Sequence, residues 1–205
     1  MVFSATEISI TFKLSGVNIN LLMSYHHWQY FIAIEKSLIE TTRYVEPVAG
    51  NFTTFSIEFA RIVLSSGSEV DVVCKLLCQQ IDSKFKGENI NDYRKVILQK
   101  YPNFYAFETI VPRYGINLKP WAKWEILENP PWWKNYNNVK HQRNTHFSEA
   151  NLENTLHCVA GLFGLVLYYY HEELFQFKLT PRPQLFSLIR EPDTVIDGCF
   201  HLPDF

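Results

Sequence analysis

The sequence is poor in cysteine and contains no metal-binding motif. Its four cysteines are Cys74, Cys78, Cys158 and Cys199, and no two of them form a CxxC pair. Cys74 and Cys78 lie four residues apart and share a helical face, which favours buried free thiols in a reducing compartment over a disulfide framework. A zinc site that combines these two thiols with His157 and Cys158 is an open alternative, although the spacing matches no known zinc finger. We predict no metal and no cofactor, since His-x-x-x-His and paired-Asp motifs are also absent.

The sequence also lacks a long hydrophobic run. Its most apolar stretch, residues 159–170, is shorter than the roughly 20 residues that cross a bilayer, and His157 and His171 bound it. The N-terminus has no basic region followed by an apolar run, which is the pattern of a signal peptide. These absences predict a cytoplasmic protein with no membrane partner.

Charge is scarce and nearly balanced. Charged residues make up 20% of the 205 residues and the formal net charge is −2, whereas apolar residues make up 47% and aromatic residues 16%. This balance excludes non-specific nucleic-acid binding over the whole surface and leaves only a local site. With no internal repeat or linker, the chain predicts a single domain over 1–205 with a sizeable core.

Apolar residues at helical spacing predict a mainly α fold. We expect helices over 21–45, 52–83, 91–101 and 132–142, and an apolar, buried helix that begins after Ser148 as its N-cap. In the second helix, one face is apolar, and a kink near its glycine is an open alternative. Gly161 and Gly164 form a strip of small residues that allows a neighbouring helix or a second subunit to approach the last helix closely.

Short alternating runs predict a few peripheral β-strands. They lie near residues 8–14, 105–118 and 175–179. Four prolines punctuate residues 176–205, and we expect this tail to be extended and packed on the body.

One segment departs from the acidic background of the chain. No Asp or Glu occurs between Glu128 and Glu149, while this window holds several basic residues. They are Lys134, Lys140, His141, Arg143 and His146. The sequence therefore predicts a local cationic cluster at the entrance to the last, apolar helix.

Three segments together resemble the bacterial HEPN superfamily. They are Ser-Glu-Val-Asp-Val-Val-Cys-Lys at 68–75, Trp-Trp-x-x-Tyr-Asn-x-Val-Lys-His-x-Arg at 132–143 and Ala-Asn-Leu-x-Asn-x-Leu at 150–156. The resemblance implies an up-and-down helical bundle over 20–175, often a homodimer with facing active segments. Members are encoded in defence and toxin–antitoxin contexts. Many are metal-independent ribonucleases, and others are binding or partner modules.

The family's nuclease signature, an Arg and a His separated by four to six residues, is degenerate in this chain. No Arg precedes His141 at that spacing, and Arg143 and His146 are only three residues apart. We therefore expect a non-catalytic module that binds a nucleotide, RNA or a cognate antitoxin-like protein. The alternative is a metal-independent ribonuclease toxin.

For the ribonuclease alternative, His141 would act as base or acid and Lys140 or Arg143 would stabilise the charge of the phosphorane. Asn138 would orient the phosphate, and Glu69 or Asp71 would set the tautomer of His141. Tyr136 and His146 complete the set of candidate binding residues. In the structural alternative, Asn138 and His141 bridge helices, and Lys140 and Arg143 form salt links to the second helix.

Overall fold

The computed structural model describes residues 25–188 and 202–205, and these residues form a mainly α fold. The helices are α1 (His26–Thr41), α2 (Ile57–Ile81), α3 (Ile90–Lys100), α4 (Pro131–His146), α5 (Leu152–Tyr169) and the short α6 (His171–Phe175). The strands are β1 (Thr109–Val111), β2 (Ile116–Leu118) and β3 (Ser187–Leu188). The predicted fold class, mainly α with a few short strands, is confirmed.

Two long helices, α2 and α5, lie side by side at the centre and run in the same direction. Near their starts, the Ser56 N–H donates to the Ala150 carbonyl oxygen at 3.4 Å, and further along, the Cys158 thiol contacts the Val63 carbonyl oxygen at 3.8 Å. Both helices have a polar N-cap side chain: Ser56 accepts from the N–H three residues later, and Asn151 does the same. The predicted kink in α2 is not observed, since the helix continues through its glycine.

The outer helices α1 and α4 run antiparallel to this central pair. Tyr25, just before α1, contacts Tyr170 at the end of α5, and the Phe31 ring stacks on Phe163 at 5.0 Å between centroids. Trp132, at the start of α4, packs against Gly161 in the middle of α5. The consecutive pairs α1–α2 and α4–α5 are thus antiparallel, as in an up-and-down bundle.

The predicted start of the last helix is wrong. Ser148 lies in a 3-10 turn over Phe147–Glu149, and α5 begins at Leu152 with Asn151 as its N-cap. Two backbone bonds explain the later start, because Leu152 N–H donates to Thr54 and Glu153 N–H donates to the Phe52 carbonyl oxygen. The loop before α2 therefore satisfies the first amides of α5.

Aromatic rings of the same chain occupy the predicted strip of small residues on α5. A Cβ atom at Gly161 would lie 2.8 Å from Trp132, and one at Gly164 would lie 2.5 Å from Phe107. The close approach expected there is made by the neighbouring helix α4 and by the segment before β1. A second subunit has no access to this strip.

The three strands form one antiparallel sheet in the order β2-β1-β3. The hairpin of β1 and β2 confirms the strand prediction near 105–118. The prediction near 175–179 is wrong, because Phe175 ends α6 and the strand that joins the sheet is Ser187–Leu188. The prediction near 8–14 lies outside the described residues.

The described part of the tail packs on α1 through a buried carboxylate. Glu35 is 1% exposed, and its two oxygens accept the backbone N–H groups of Gln184, Leu185 and Phe186 at 2.9–3.1 Å. Leu185 and Phe186 are buried beside it. The carboxylate thus fixes this part of the tail against the bundle.

Candidate basic groove

The basic segment lies in the second half of α4, where the helix is interrupted. Gln142 has φ −139° and ψ 39°, outside the helical region, so the residues on either side of it point into solvent. Lys140, His141 and Arg143 are all exposed. Together with the first turns of α2 they line an open groove of about 960 Å³, called here the basic groove. The structure thus brings the three predicted catalytic residues together.

The floor of the basic groove is apolar. Ile57, Ala60 and Leu64 of α2 contribute to it, with Val139 and Phe147 on the other side. Ile57 is 80% exposed, so its side chain has no cover among the described residues. Ala60 and Val139 are buried, so the apolar surface open to a ligand belongs to Ile57 and to the half-buried Leu64 and Phe147. Exposed apolar surface beside cationic side chains is typical of a binding surface.

The exposed cations of the groove form no ion pair with the residues that the structure describes. In the part of the chain that the structure describes, neither His141 nor Arg143 has a hydrogen bond or an ion pair. Lys140 Nζ lies 5.5 Å from the centroid of the Tyr136 ring. Burial raises the pKa of the Tyr136 hydroxyl, and the nearby Lys140 partly opposes that shift. Positive charge is therefore available to an anionic ligand.

The acidic side chains predicted to face the cluster lie elsewhere. Glu69 Oε1 is 2.6 Å from His27 Nδ1 of α1. Asp71 faces Tyr93 of α3, where its charge adds to the effect of burial in raising the pKa of that tyrosine. Both acids lie roughly 14 to 16 Å further along α2 than Ala60 in the groove, at about 1.5 Å per residue. Neither orients His141, and the salt links from Lys140 or Arg143 to α2 are also not observed.

Three of the predicted binding residues connect structural elements rather than line the groove. Asn138 Nδ2 donates to Glu149 Oε2 at 2.9 Å, and His146 Nδ1 lies 2.8 Å from Glu149 Oε1. Glu149 thereby ties α4 to the turn before α5. Tyr136 is buried, and its ring packs against Gly67 of α2.

One aromatic pair beside the groove was not predicted from the sequence. Phe55, in the loop before α2, is 49% exposed, and its ring meets Phe147 edge-on at 5.4 Å between centroids. Phe147 is an isolated apolar residue within a polar stretch, but this signal gives no indication of its distant partner. Their contact depends on the pairing of the loops that precede α2 and α5, where Phe55 bridges to Asn151.

The described residues contain no group of three or more His, Cys, Asp or Glu side chains that could hold a metal ion. Cys74, Cys78 and Cys158 are free and buried. Among the helices of the described ranges, none is both long and apolar enough to cross a membrane. The chain matches no protein-family model, no curated protein and no solved structure.

Proposed function

We propose that the basic groove binds the backbone of single-stranded RNA without cleaving it. The observation that carries the proposal is the exposure of His141 and Arg143 beside Lys140, over an apolar floor, with no partner for either side chain in the described ranges 25–188 and 202–205. Lys and Arg side chains bind phosphates, and exposed aromatic rings stack on bases without strong sequence preference. Phe55 and Phe147 supply such rings at one end of the groove. The resemblance to the HEPN superfamily points to the same ligand class.

The absence of an orienting acid supports binding over turnover. A catalytic imidazole works as a base when a second group fixes its tautomer. No acid of the described residues contacts His141, because Glu69 pairs with His27 and Glu149 pairs with His146. A ribonuclease would need a second copy of the chain to supply the acid that orients His141. The ribonuclease alternative therefore requires the predicted homodimer. A role with an antitoxin-like partner stays a prediction as well.

A binding experiment with a labelled oligouridylate tests the proposal. We expect fluorescence anisotropy in EDTA to show binding that weakens with salt. The log–log slope should have a magnitude of about 1.4, because Lys140 and Arg143 are two cations at ~0.7 per phosphate. The double substitution of Lys140→Gln with Arg143→Gln should abolish binding. The matched control, Lys86→Gln with Lys95→Gln, removes the same charge from exposed positions in the loop before α3 and in α3, and it should bind as the wild type does.

A denaturing gel of the same samples separates the two functions. Intact RNA after long incubation with protein that binds it supports the non-catalytic function. Cleavage that persists in EDTA and disappears in His141→Ala would instead establish the ribonuclease. Failure of the folded wild type to bind any single-stranded RNA at low salt would overturn the proposal.

A further inference from the structure

A second concave site adjoins the basic groove on the other side of the Phe55–Phe147 pair. It is a cavity of about 580 Å³ between the start of α4, the start of α5 and the turn after β2. Phe55 stands at its edge, and the wall behind is formed by Trp132. Its size lies within the range of small-molecule sites, and no step of the proposed backbone binding uses it.

The cavity presents hydrogen-bonding groups that the protein leaves unused. Both polar atoms of the Asn154 side chain are engaged within the protein, since Oδ1 accepts from Asn135 Nδ2 at 2.9 Å and Nδ2 donates to the Glu149 carbonyl oxygen. Asn135 keeps its carbonyl oxygen and one N–H for a ligand. His157, also in the lining, has no hydrogen-bond partner among the described residues. Two adjacent side chains thus each offer a donor and an acceptor.

The imidazole of His157 is suited to a neutral ligand. Burial lowers its pKa, and Glu153 only partly opposes this shift. The ring is therefore neutral near pH 7, with one nitrogen donating and the other accepting. An anion would gain no charge–charge attraction from such a group.

The two lysines at the rim of the cavity are already paired with acids, whereas Glu153 of the lining has no ion pair among the described residues. Lys119 Nζ lies 3.1 Å from Glu108, and Lys123 Nζ lies 3.5 Å from Glu128. Glu149, in the opposite wall, is engaged by His146. The cavity therefore lacks the unpaired positive charge that the basic groove offers, and its chemistry fits a planar, neutral ring with polar edges.

We propose that this cavity binds one nucleobase of an RNA whose phosphates lie in the basic groove. The inference rests on the proposed function and adds base selectivity to it. The adjoining Phe55 and Phe147 rings carry the strand from one site to the other by stacking. Asn135 and His157 read the edge of the base, which makes them specificity-determining residues.

Four short RNAs, rich in A, C, G or U, test the inference in the anisotropy assay. We expect the wild type to prefer one composition. His157→Phe keeps an aromatic ring of similar size and removes both nitrogens, so the preferred RNA should bind about tenfold more weakly, the effect of roughly one lost hydrogen bond. The other three RNAs and the salt slope should change little. Asn135→Ala should have the same effect, whereas Asn91→Ala, an exposed asparagine at the start of α3, should have none.

Free nucleosides observed by saturation-transfer NMR separate this inference from the proposed function. RNA binding without base preference, unchanged in His157→Phe, would overturn the nucleobase site and leave the backbone site standing. Binding of one nucleoside that His157→Phe removes, without binding of any RNA, would support the cavity and overturn the backbone site. If neither RNA nor a nucleoside binds, both proposals are wrong. A circular-dichroism melt of each variant confirms that it is folded.

Discussion

At the scale of single residues, three glycines allow aromatic rings to lie against helix backbones. The ring of Tyr136 lies against Gly67. In the same way, the ring of Trp132 lies against Gly161 and the ring of Phe107 lies against Gly164. Each ring comes from a different part of the chain than its glycine. The helix crossings at the centre of the bundle therefore depend on positions where a methyl group has no room.

Gly67→Ala is the sharpest test of such a crossing. The new methyl group would overlap the ring of Tyr136, and this ring is held between α2 and α4. Alanine favours the helix by about 1 kcal/mol over glycine, but overpacking a core costs about 1–3 kcal/mol. We expect a net loss of stability, measured as the free energy of unfolding in urea.

Gly50→Ala is the control for that substitution. Gly50 is exposed, and a Cβ atom there has no neighbour within 4 Å. Its stability should equal that of the wild type within about 0.5 kcal/mol. Equal stability of the two variants would show that α4 shifts freely on α2, contrary to the packing described here.

At the scale of elements, the buried Glu35 carboxylate joins the tail to α1. Glu35→Gln keeps the size of the side chain but replaces one accepting oxygen with an NH₂ group that faces a backbone N–H. Hydrogen bonds to a charged group contribute about 1.5–3 kcal/mol, so we expect a destabilisation of that order. Limited proteolysis should cut the segment 176–188 sooner than it does in the wild type.

Glu40→Gln, in the same helix but exposed, is the matched control. It should leave both the unfolding free energy and the cleavage pattern unchanged. Cleavage of Glu35→Gln at the wild-type rate would contradict the role of the carboxylate as the anchor of the tail.

Helix existence was predictable from the sequence because apolar periodicity is a local property. All four predicted amphipathic helices, and the buried last helix, are present. The boundaries depended on distant backbone groups: α5 begins at Leu152 because the loop before α2 accepts its first N–H groups. The break at Gln142 likewise has no marker such as proline or glycine. These features arise from tertiary contacts that no local pattern contains.

The site was predictable only in part, for a related reason. Clustering of Lys140, His141 and Arg143 follows from their proximity in the chain, and the structure retains it. The partners of the acidic residues on α2 could not be predicted from the sequence. They depend on the position of α2 along the axes of the neighbouring helices. Glu69 therefore meets His27 of α1 rather than the groove. The lining of the proposed nucleobase cavity combines residues from four separate segments of the chain, so it also could not be predicted from the sequence.

At the scale of the whole molecule, the folded state favours the neutral form of several buried ionisable side chains. Burial raises the pKa of Cys78 to about 12 and raises the pKa values of Cys74 and Cys158 well above their usual range. Tyr170 is similar, with a pKa raised to about 12. Burial shifts the pKa of His157 in the opposite direction and so also favours its neutral form. Both acid and alkali should therefore destabilise the fold.

The pKa shifts define the pH range of maximal stability. Above about pH 8.5 the unfolded thiols lose protons that the folded chain retains, so the free energy of unfolding falls as pH rises toward 12, by up to ~1.4 kcal/mol per pH unit for each thiol. Below about pH 6.5 the unfolded His157 binds a proton that the folded ring excludes, so stability falls as pH decreases.

Guanidinium unfolding under reducing conditions at about pH 5.5, 7.5 and 9.5 tests this pH dependence. The guanidinium concentration at the midpoint of unfolding should be highest at the middle pH. Between the upper two pH values, Cys158→Ala should lose less stability than the wild type does. Between the lower two pH values, His157→Phe should lose less stability than the wild type does. Parallel profiles for the wild type and both variants would show that these buried groups do not control the pH dependence.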